Sequence, residues 1–223
     1  MNKIKILLFF SLFFFPTFFM NCKEPTAKSD KPFDTVAVNT VGQLTFDGWL
    51  YHDTIKLYKS LHLSDSLLRV SHNNKVSANL YQNKVKIYLM LGDIDNAIEN
   101  MKKVASYYPE NSVLSMGYQN MRAIASHNAD EEKRILRKNL SICDSTLSKS
   151  YRLDVSYFKL QTLYLLHGKE KAAEYLHIVK KQHPNPLYPS SNSEWEEFCS
   201  DQEAQRKQIY EMSTTKDGGL FWR

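Results

Sequence analysis

Apolar residues in the part of the chain that follows residue 44 recur every three or four positions, not every second position. That spacing places apolar side chains on one side of an α-helix, whereas a strand with one buried face alternates at every second residue. Glycines are few, seven in 223 residues, and runs typical of strands are rare. The sequence therefore predicts an all-α fold in which amphipathic helices bury their apolar sides against one another.

The first 21 residues have the features of a secretory signal peptide. Lys3 and Lys5 precede an apolar run over residues 6–20, which Pro16 interrupts. A helix that crosses a membrane needs about 20 apolar residues, and this run is shorter. We therefore predict a signal peptide over residues 1–21 and an exported mature chain.

The residues Phe19-Met20-Asn21-Cys22 resemble the processing site of bacterial lipoproteins, although the three residues before the cysteine depart from that family's preferences. In that family the cysteine is lipidated and becomes the new N-terminus. The resemblance implies a lipid anchor on Cys22 and a location in the cell envelope, at the outer membrane, on its periplasmic or its surface side. The alternative is a conventional signal peptide that leaves Cys22 unmodified. Two prolines and scattered polar residues make 22–44 a predicted tether.

The charge of the mature chain is weak and dispersed. Removing Lys3 and Lys5 with the signal peptide lowers the net charge from +5 to +3, and basic and acidic residues are interleaved. Nucleic-acid binding requires basic residues that cluster on one face. We therefore expect no nucleic acid among the partners.

A pattern of aromatic, small, turn and closing residues spans the 34 residues from Ala78 to Asn111: Tyr81, Val85, Tyr88, Gly92, Ile94, Ala97, Met101, Val104 and Pro109. This pattern resembles one tetratricopeptide repeat, a pair of helices joined by a turn. Gly92 can take the left-handed conformation that ends a helix, and Asp93 or Asp95 can cap the next one. Ala97 allows the two helix backbones to approach closely, and the proline ends the second helix.

The same pattern recurs over residues 151–184, in Tyr157, Leu160, Tyr164, Gly168, Ala172, Leu176, Val179 and Pro184. A divergent unit over residues 112–147 lies between the two copies. Its turn residue is predicted to be Asn128, because asparagine tolerates the left-handed conformation better than other residues that carry a side chain. A weaker hairpin precedes these units, with its turn at His62 and a short helix that begins at Ser64.

A final helix is predicted to begin at Ser193, which has capping-box spacing with Glu196. The resemblance implies that residues 45–213 form a right-handed stack of about four antiparallel helical hairpins, closed by this capping helix. Residues 214–223 form a predicted tail. We expect its Leu220-Phe221-Trp222 cluster to pack back onto the last hairpin, and a docking peptide is the alternative.

The sequence contains none of the local motifs that carry catalysis or metal binding. The glycines are too scattered for a phosphate-binding loop, no serine lies in a G-x-S-x-G motif, and no histidines have zinc-site spacing. We therefore expect no enzyme activity, no cofactor and no metal. Cys143 and Cys199 either form one disulfide or, as isolated cysteines in helices more often do, are small buried apolar residues.

The resemblance to tetratricopeptide repeats also implies a concave groove lined by the first helix of each hairpin. The residues at those positions include two cations and two aromatic rings: Asn79, Gln82, Lys86, Ser115, Tyr118, Arg122, Val155, Phe158 and Thr162. Such a groove would bind an extended acidic or aromatic peptide, so the predicted function is an adaptor for a protein partner. In the alternative, neighbouring helices cover Tyr118 and Phe158.

Two other functions fit the sequence. An immunity protein that neutralises a toxin would also act by binding a protein directly. A carbohydrate-binding or hydrolytic envelope protein would need exposed aromatic platforms or a pocket with paired carboxylates, and the sequence shows no local spacing of such carboxylates.

Overall fold

The computed structural model describes residues 35–214. The signal peptide, the lipidation site at Cys22, the first part of the tether and the tail over residues 215–223 lie outside the described residues. What the sequence indicates for those segments stays a prediction.

All regular structure within residues 35–214 is helical, with nine α-helices and no strand. The helices are α1 Thr35–Leu50, α2 Thr54–Val70, α3 Asn74–Leu91, α4 Ile94–Ser106, α5 Val113–Ala125, α6 Ala129–Leu147, α7 Leu153–His167, α8 Lys169–Gln182 and α9 Asn192–Thr214. In this part of the chain no helix is both long and apolar enough to cross a membrane. The predicted all-α class is confirmed.

The described residues fall into two compact units, where one continuous domain is the expectation from the sequence. Residues 35–109 hold α1 to α4, and residues 110–211 hold α5 to α8 and most of α9. In the first unit α1 packs against α2 and α3, α2 against α3, and α3 against α4. In the second unit α6 and α7 pack against each other, α5 contacts both, and α8 packs against α7.

The first three helices share a small apolar core and a pair of buried hydroxyls. Val41, Leu67 and Leu80 join α1, α2 and α3. Beside them the hydroxyl oxygens of Thr45 and Ser60 lie 2.8 Å apart, and the Ser60 hydroxyl also donates to the Val41 carbonyl at 3.0 Å. These hydrogen bonds satisfy polar groups that would otherwise weaken the core.

Helices α1 and α2 are in close contact at Gly48. A Cβ atom added there would lie 2.5 Å from Cδ2 and 2.8 Å from Cγ of Leu57, which is fully buried. The absence of a side chain at Gly48 therefore sets how closely the two helices pack.

The turn between α3 and α4 forms as the sequence predicts. Gly92 ends α3 in the left-handed conformation, with φ of 76°. The Asp93 carboxylate caps α4 by accepting a hydrogen bond from the backbone N–H of Asn96 at 3.1 Å. Gly168, between α7 and α8, also has a positive φ, of 81°. At both glycines the backbone adopts a conformation that other residues rarely take.

The prediction for Asn128 is wrong. Its backbone is extended, with φ of −106°, and the left-handed residue of this turn is His127, with φ of 55°. The Asn128 side chain instead caps α6, because its oxygen accepts hydrogen bonds from the backbone N–H groups of Asp130 and Glu131, each at 3.1 Å. Asparagine is favoured at both kinds of position, and here the capping role prevails.

The predicted turn at His62 and the short helix from Ser64 are also wrong. Both residues lie inside α2, which is continuous from Thr54 to Val70. The turn of this hairpin lies earlier, where His52 adopts a left-handed backbone with φ of 54° and Asp53 caps α2.

Two boundaries differ from the prediction. Residues 35–44 belong to α1 and not to a tether, and Val41 is fully buried. Helix α9 begins one residue before the predicted start, and its capping hydrogen bonds are shifted by two residues. The Ser191 hydroxyl accepts from the Glu194 N–H at 3.2 Å, and the Glu194 carboxylate accepts from the Ser190 N–H at 2.6 Å.

The second unit contains two apolar clusters. Met116, Cys143, Val155 and Phe158 connect α5, α6 and α7. The other cluster joins α7, α8 and α9 through Leu160, Tyr164, Ala172, Leu176, Val179, Tyr188, Phe198 and Cys199. Five of these eight residues belong to the pattern that recurs over residues 151–184, so the pattern does mark residues that pack together.

Candidate protein-binding surface

Exposed apolar side chains concentrate in the first two helices and their flanking turns. Ten large apolar residues are strongly exposed among those the structure describes. Six of the ten lie between residues 36 and 70: Val36, Phe46, Tyr51, Ile55, Tyr58 and Val70. Single exposed apolar residues are common on protein surfaces, but several on one face of a helix mark a candidate site of interaction. This part of the first unit is therefore the strongest candidate for a binding surface.

Helix α2 has one buried face and one exposed face, and both carry apolar side chains. Its buried face packs into the first unit through Leu57, Ser60, Leu61, Ser64 and Leu67. The opposite face carries Ile55, which is 66% exposed, and Tyr58, which is 57% exposed. A depression of about 570 Å³ follows this face and is lined by Ile55, Tyr58, Lys59, His62, Leu63 and Ser66. We call these six residues the α2 surface.

The α2 surface is flanked by positive charge. Lys59 lies on it, and the exposed Arg69 follows one turn after Ser66. The only carboxylate within α2, that of Asp65, is engaged by Lys84 of α3 at 2.5 Å. A partner segment with apolar side chains and neighbouring carboxylates would therefore complement the surface in both shape and charge.

This surface is not apparent from the sequence when a turn is predicted at His62. Inside a continuous helix, Ile55, Tyr58 and His62 lie three and four residues apart and therefore share a face. That spacing indicates an exposed apolar face only when Leu57 and Leu61 are assigned to the opposite face of the same helix. A turn at His62 does not allow this assignment.

Five of the nine residues predicted to line a groove are buried: Gln82, Ser115, Val155, Phe158 and Thr162. Asn79 and Arg122 are exposed, and Lys86 and Tyr118 are half-buried. Burial lowers the pKa of Lys86. A buried side chain cannot contact a partner without a rearrangement, so the predicted contact set is wrong for these five residues.

Phe158 shows the physical reason for that error. It is only 5% exposed and packs with Met116, Cys143 and Val155 in the core of the second unit. The alternative in which neighbouring helices cover Phe158 is therefore the one found. Asn79, Gln82 and Lys86 lie in the first unit, and the other six residues lie in the second.

The neighbouring face of α7 is covered by α9. The Phe198 ring of α9 meets the rings of Tyr157 and Tyr164 edge to face, with centroids 5.9 and 6.1 Å apart. The Tyr164 hydroxyl donates to the Glu203 carboxylate at 2.6 Å. Two aromatic residues of the recurring pattern, Tyr157 and Tyr164, thus pack against the terminal helix.

A buried network of hydroxyl groups holds the segment between α8 and α9. The Tyr188 hydroxyl donates to the Ser156 hydroxyl at 2.6 Å, and the Ser156 and Tyr175 hydroxyl oxygens are also 2.6 Å apart. The Tyr188 hydroxyl lies 3.0 Å from that of Tyr151. Burial raises the pKa of Tyr188, and it raises that of Tyr175 to about 12. Ser156 is fully buried, so these hydrogen bonds lie inside the packing of the second unit.

The two described cysteines are not bonded to each other. Cys143 and Cys199 are free, buried and in separate clusters. Burial raises the pKa of Cys143 to about 12 and that of Cys199 to about 11, so both thiols stay protonated at neutral pH and are unreactive. No group of three or more histidine, cysteine, aspartate or glutamate residues suited to a metal ion occurs within residues 35–214.

Comparison with protein family models, curated proteins and solved structures finds no match for this chain.

Proposed function

We propose that this protein is an exported lipoprotein of the bacterial cell envelope that binds another protein through the α2 surface. The observation that carries the proposal is the exposed, apolar and positively flanked face of α2, where Ile55 and Tyr58 are each more than half exposed. The proposal assigns no chemical reaction to the protein.

Tetratricopeptide-like architecture is part of this proposal. Its support is the pair of turns at Gly92 and Gly168, each of which joins two helices that pack against each other. The recurring apolar pattern around those glycines supports it as well. In such a stack each hairpin buries its faces against its neighbours. The α2 surface belongs to the first hairpin that the structure describes.

The proposed partner is a protein segment whose apolar side chains are flanked by acidic ones. Apolar side chains would fill the depression beside Ile55 and Tyr58, and carboxylates would pair with Lys59 and Arg69. Lys56 is less available, because it lies 3.6 Å from the Asp47 carboxylate and over the Tyr51 ring.

Site-specific crosslinking tests the proposal. A photocrosslinking amino acid in place of Tyr58 should capture one protein in native membranes, and mass spectrometry should map the crosslink to an acidic, apolar segment. Ile55→Asp should reduce that capture at least about tenfold, because it places a charge in the apolar contact. Ile178→Asp is the matched control: Ile178 is 52% exposed on α8, and its substitution should leave capture unchanged.

Equal capture by the Ile55→Asp and Ile178→Asp proteins would contradict a specific role for α2. Crosslinks that scatter over many unrelated proteins would contradict it too. The identity of the captured protein would also separate an adaptor from an immunity protein, because the latter would crosslink to a toxin.

The lipid anchor has its own test, which does not depend on the partner. Mass spectrometry of the mature protein should find a lipidated Cys22 at the N-terminus, and Cys22→Ser should release the protein from the membrane fraction. An unmodified N-terminal residue other than Cys22 would contradict the lipoprotein proposal.

A further inference from the structure

Helix α9 covers an aromatic face of the second unit, and its fit to that face is uneven. We define the α7 face as Tyr157, Leu160 and Tyr164, which all lie in or against the cluster that α9 closes. At the N-terminal end of α9 the fit is good. The Phe198 ring packs against Tyr157 and Tyr164 and stacks on Trp195 with centroids 5.3 Å apart, and Glu196 forms an ion pair with Lys169.

The middle of α9 fits poorly. Gln202 and Gln205 point into the structure and are 2% and 5% exposed. The Gln202 amide nitrogen and both amide atoms of Gln205 have no hydrogen-bond partner. Buried amide groups without partners lose their hydration and gain nothing in return, so they weaken the contact that buries them.

Beyond Gln205, Ile209 of α9 is buried, and the Tyr210 ring meets the His127 ring edge to face with centroids 4.1 Å apart. Arg206 donates one hydrogen bond to the Glu132 carboxylate at 3.0 Å within an ion pair whose shortest distance is 2.9 Å, but its side chain is half exposed. Ion pairs that water can reach contribute little to stability. The attachment therefore comes from the two ends of α9, and the buried amide groups in its middle oppose it.

We infer that the α7 face is a second protein-binding surface, for which α9 is an exchangeable occupant. The partner that fits is an amphipathic helix with aromatic residues on one side and glutamates beside them. This chemistry is what the α7 face already accepts from Trp195, Phe198 and Glu203. A partner helix with apolar residues where α9 has Gln202 and Gln205 would bind better than α9 itself, because it would leave no buried amide without a partner.

Hydrogen exchange on the chain without residues 1–21 and with Cys22→Ser tests whether α9 opens by itself. Amides of α9 near Gln202 should exchange at least about tenfold faster than those of α7, because opening of α9 leaves the rest of the unit folded. Equal exchange rates in α9 and α7 would overturn the inference, because the helix would then open only when the whole unit unfolds.

A peptide with the sequence of residues 192–214 and Cys199→Ala serves as the binding probe. In the same chain, a carbodiimide should join the Lys169 amine to the Glu196 carboxylate as an amide bond that holds α9 in place, because the two groups form an ion pair. The treated protein should bind the labelled peptide at least about tenfold more weakly than the untreated protein. The Glu196→Gln protein, treated in the same way, controls for amide bonds that form at other ion pairs.

Equal peptide binding by the treated and the untreated protein, or no binding by either, would overturn the inference. Ile55→Asp should leave peptide binding unchanged, so failure at the α7 face and failure at the α2 surface can be distinguished.

Discussion

At the scale of single residues, glycines and small polar residues determine how closely the helices and their connecting segments pack. Gly48 allows α2 to approach α1, and Ser60 and Ser156 satisfy hydroxyl groups in two separate cores. None of these residues belongs to the apolar pattern that predicts the helices. Their effects depend on neighbours that are distant in sequence or lie beyond a turn.

The two glycines of α1 give a direct test of packing against helix propensity. Gly48→Ala should destabilise the first unit by about 1–3 kcal/mol, because its methyl group would overlap Leu57 in a packed core. Gly42→Ala in the same helix should stabilise it by about 0.5–1 kcal/mol, because no atom lies within 4 Å of the new methyl group and alanine favours helix. Urea denaturation measures both changes. Changes of the same sign would contradict this account.

The hydroxyl network predicts a specific cost at Ser156. Ser156→Ala removes the acceptor of the Tyr188 hydroxyl and the partner of the Tyr175 hydroxyl, so it should destabilise the second unit by about 1–3 kcal/mol. Ser141→Ala, at an exposed position of α6, should change stability by less than about 0.5 kcal/mol. If the denaturation midpoints of the Ser156→Ala and Ser141→Ala proteins agree, the network contributes nothing to stability.

At the scale of elements, the ends of helices were predictable where one residue has a single local role. Gly92 and Asp93 are such residues, because a left-handed glycine and a capping aspartate are decided by their immediate neighbours. Asn128 has two possible local roles, the left-handed turn residue that was predicted and the helix cap that is found. The helices themselves follow from apolar spacing, since that spacing is a property of each segment alone.

The corrected role of Asn128 leads to a prediction. Asn128→Ala should destabilise the second unit by about 1 kcal/mol, because the first N–H groups of α6 lose their acceptor. Asn111→Ala, at an exposed position in the turn before α5, is the control and should have little effect. Thermal or urea unfolding would measure the difference. A variant as stable as the original chain would show that water replaces the cap without loss.

The candidate sites were less predictable than the helices for a physical reason. Spacing shows which residues share a face of a helix, but it does not show what covers that face. Phe158 is predicted to line a groove and is covered by α5 and α6, whereas Ile55 is a large apolar residue that is exposed. The path of α9 over Tyr164 depends on contacts between residues about 40 positions apart, and no local pattern encodes such contacts.

At the scale of the whole molecule, the two units differ in how many cysteine and tyrosine side chains have a pKa raised by burial. In the second unit burial raises the pKa of Cys143 from about 9 to about 12, that of Cys199 to about 11 and that of Tyr175 to about 12. It also raises the pKa values of Tyr157 and Tyr188. In the first unit burial raises the pKa of Tyr88.

This difference predicts that the second unit unfolds first in alkali. A group whose pKa is higher in the folded state holds its proton there while the unfolded chain releases it, so stability falls as pH rises above the unfolded value. The second unit should lose stability progressively between about pH 9 and pH 12, and the first unit should lose less. Hydrogen exchange resolved by segment, at a series of pH values, measures this. Earlier loss of protection in residues 35–109 would contradict it.

The positions of two tryptophans allow each unit to be observed separately by fluorescence. Trp49 is nearly buried in α1 of the first unit, and Trp195 stacks on Phe198 in α9 of the second. With Trp222→Phe in place, Trp195→Phe would leave an emission signal from the first unit alone, and Trp49→Phe would leave one from the second. Each half of this protein therefore carries its own optical probe, placed in the packing that unfolding would disrupt.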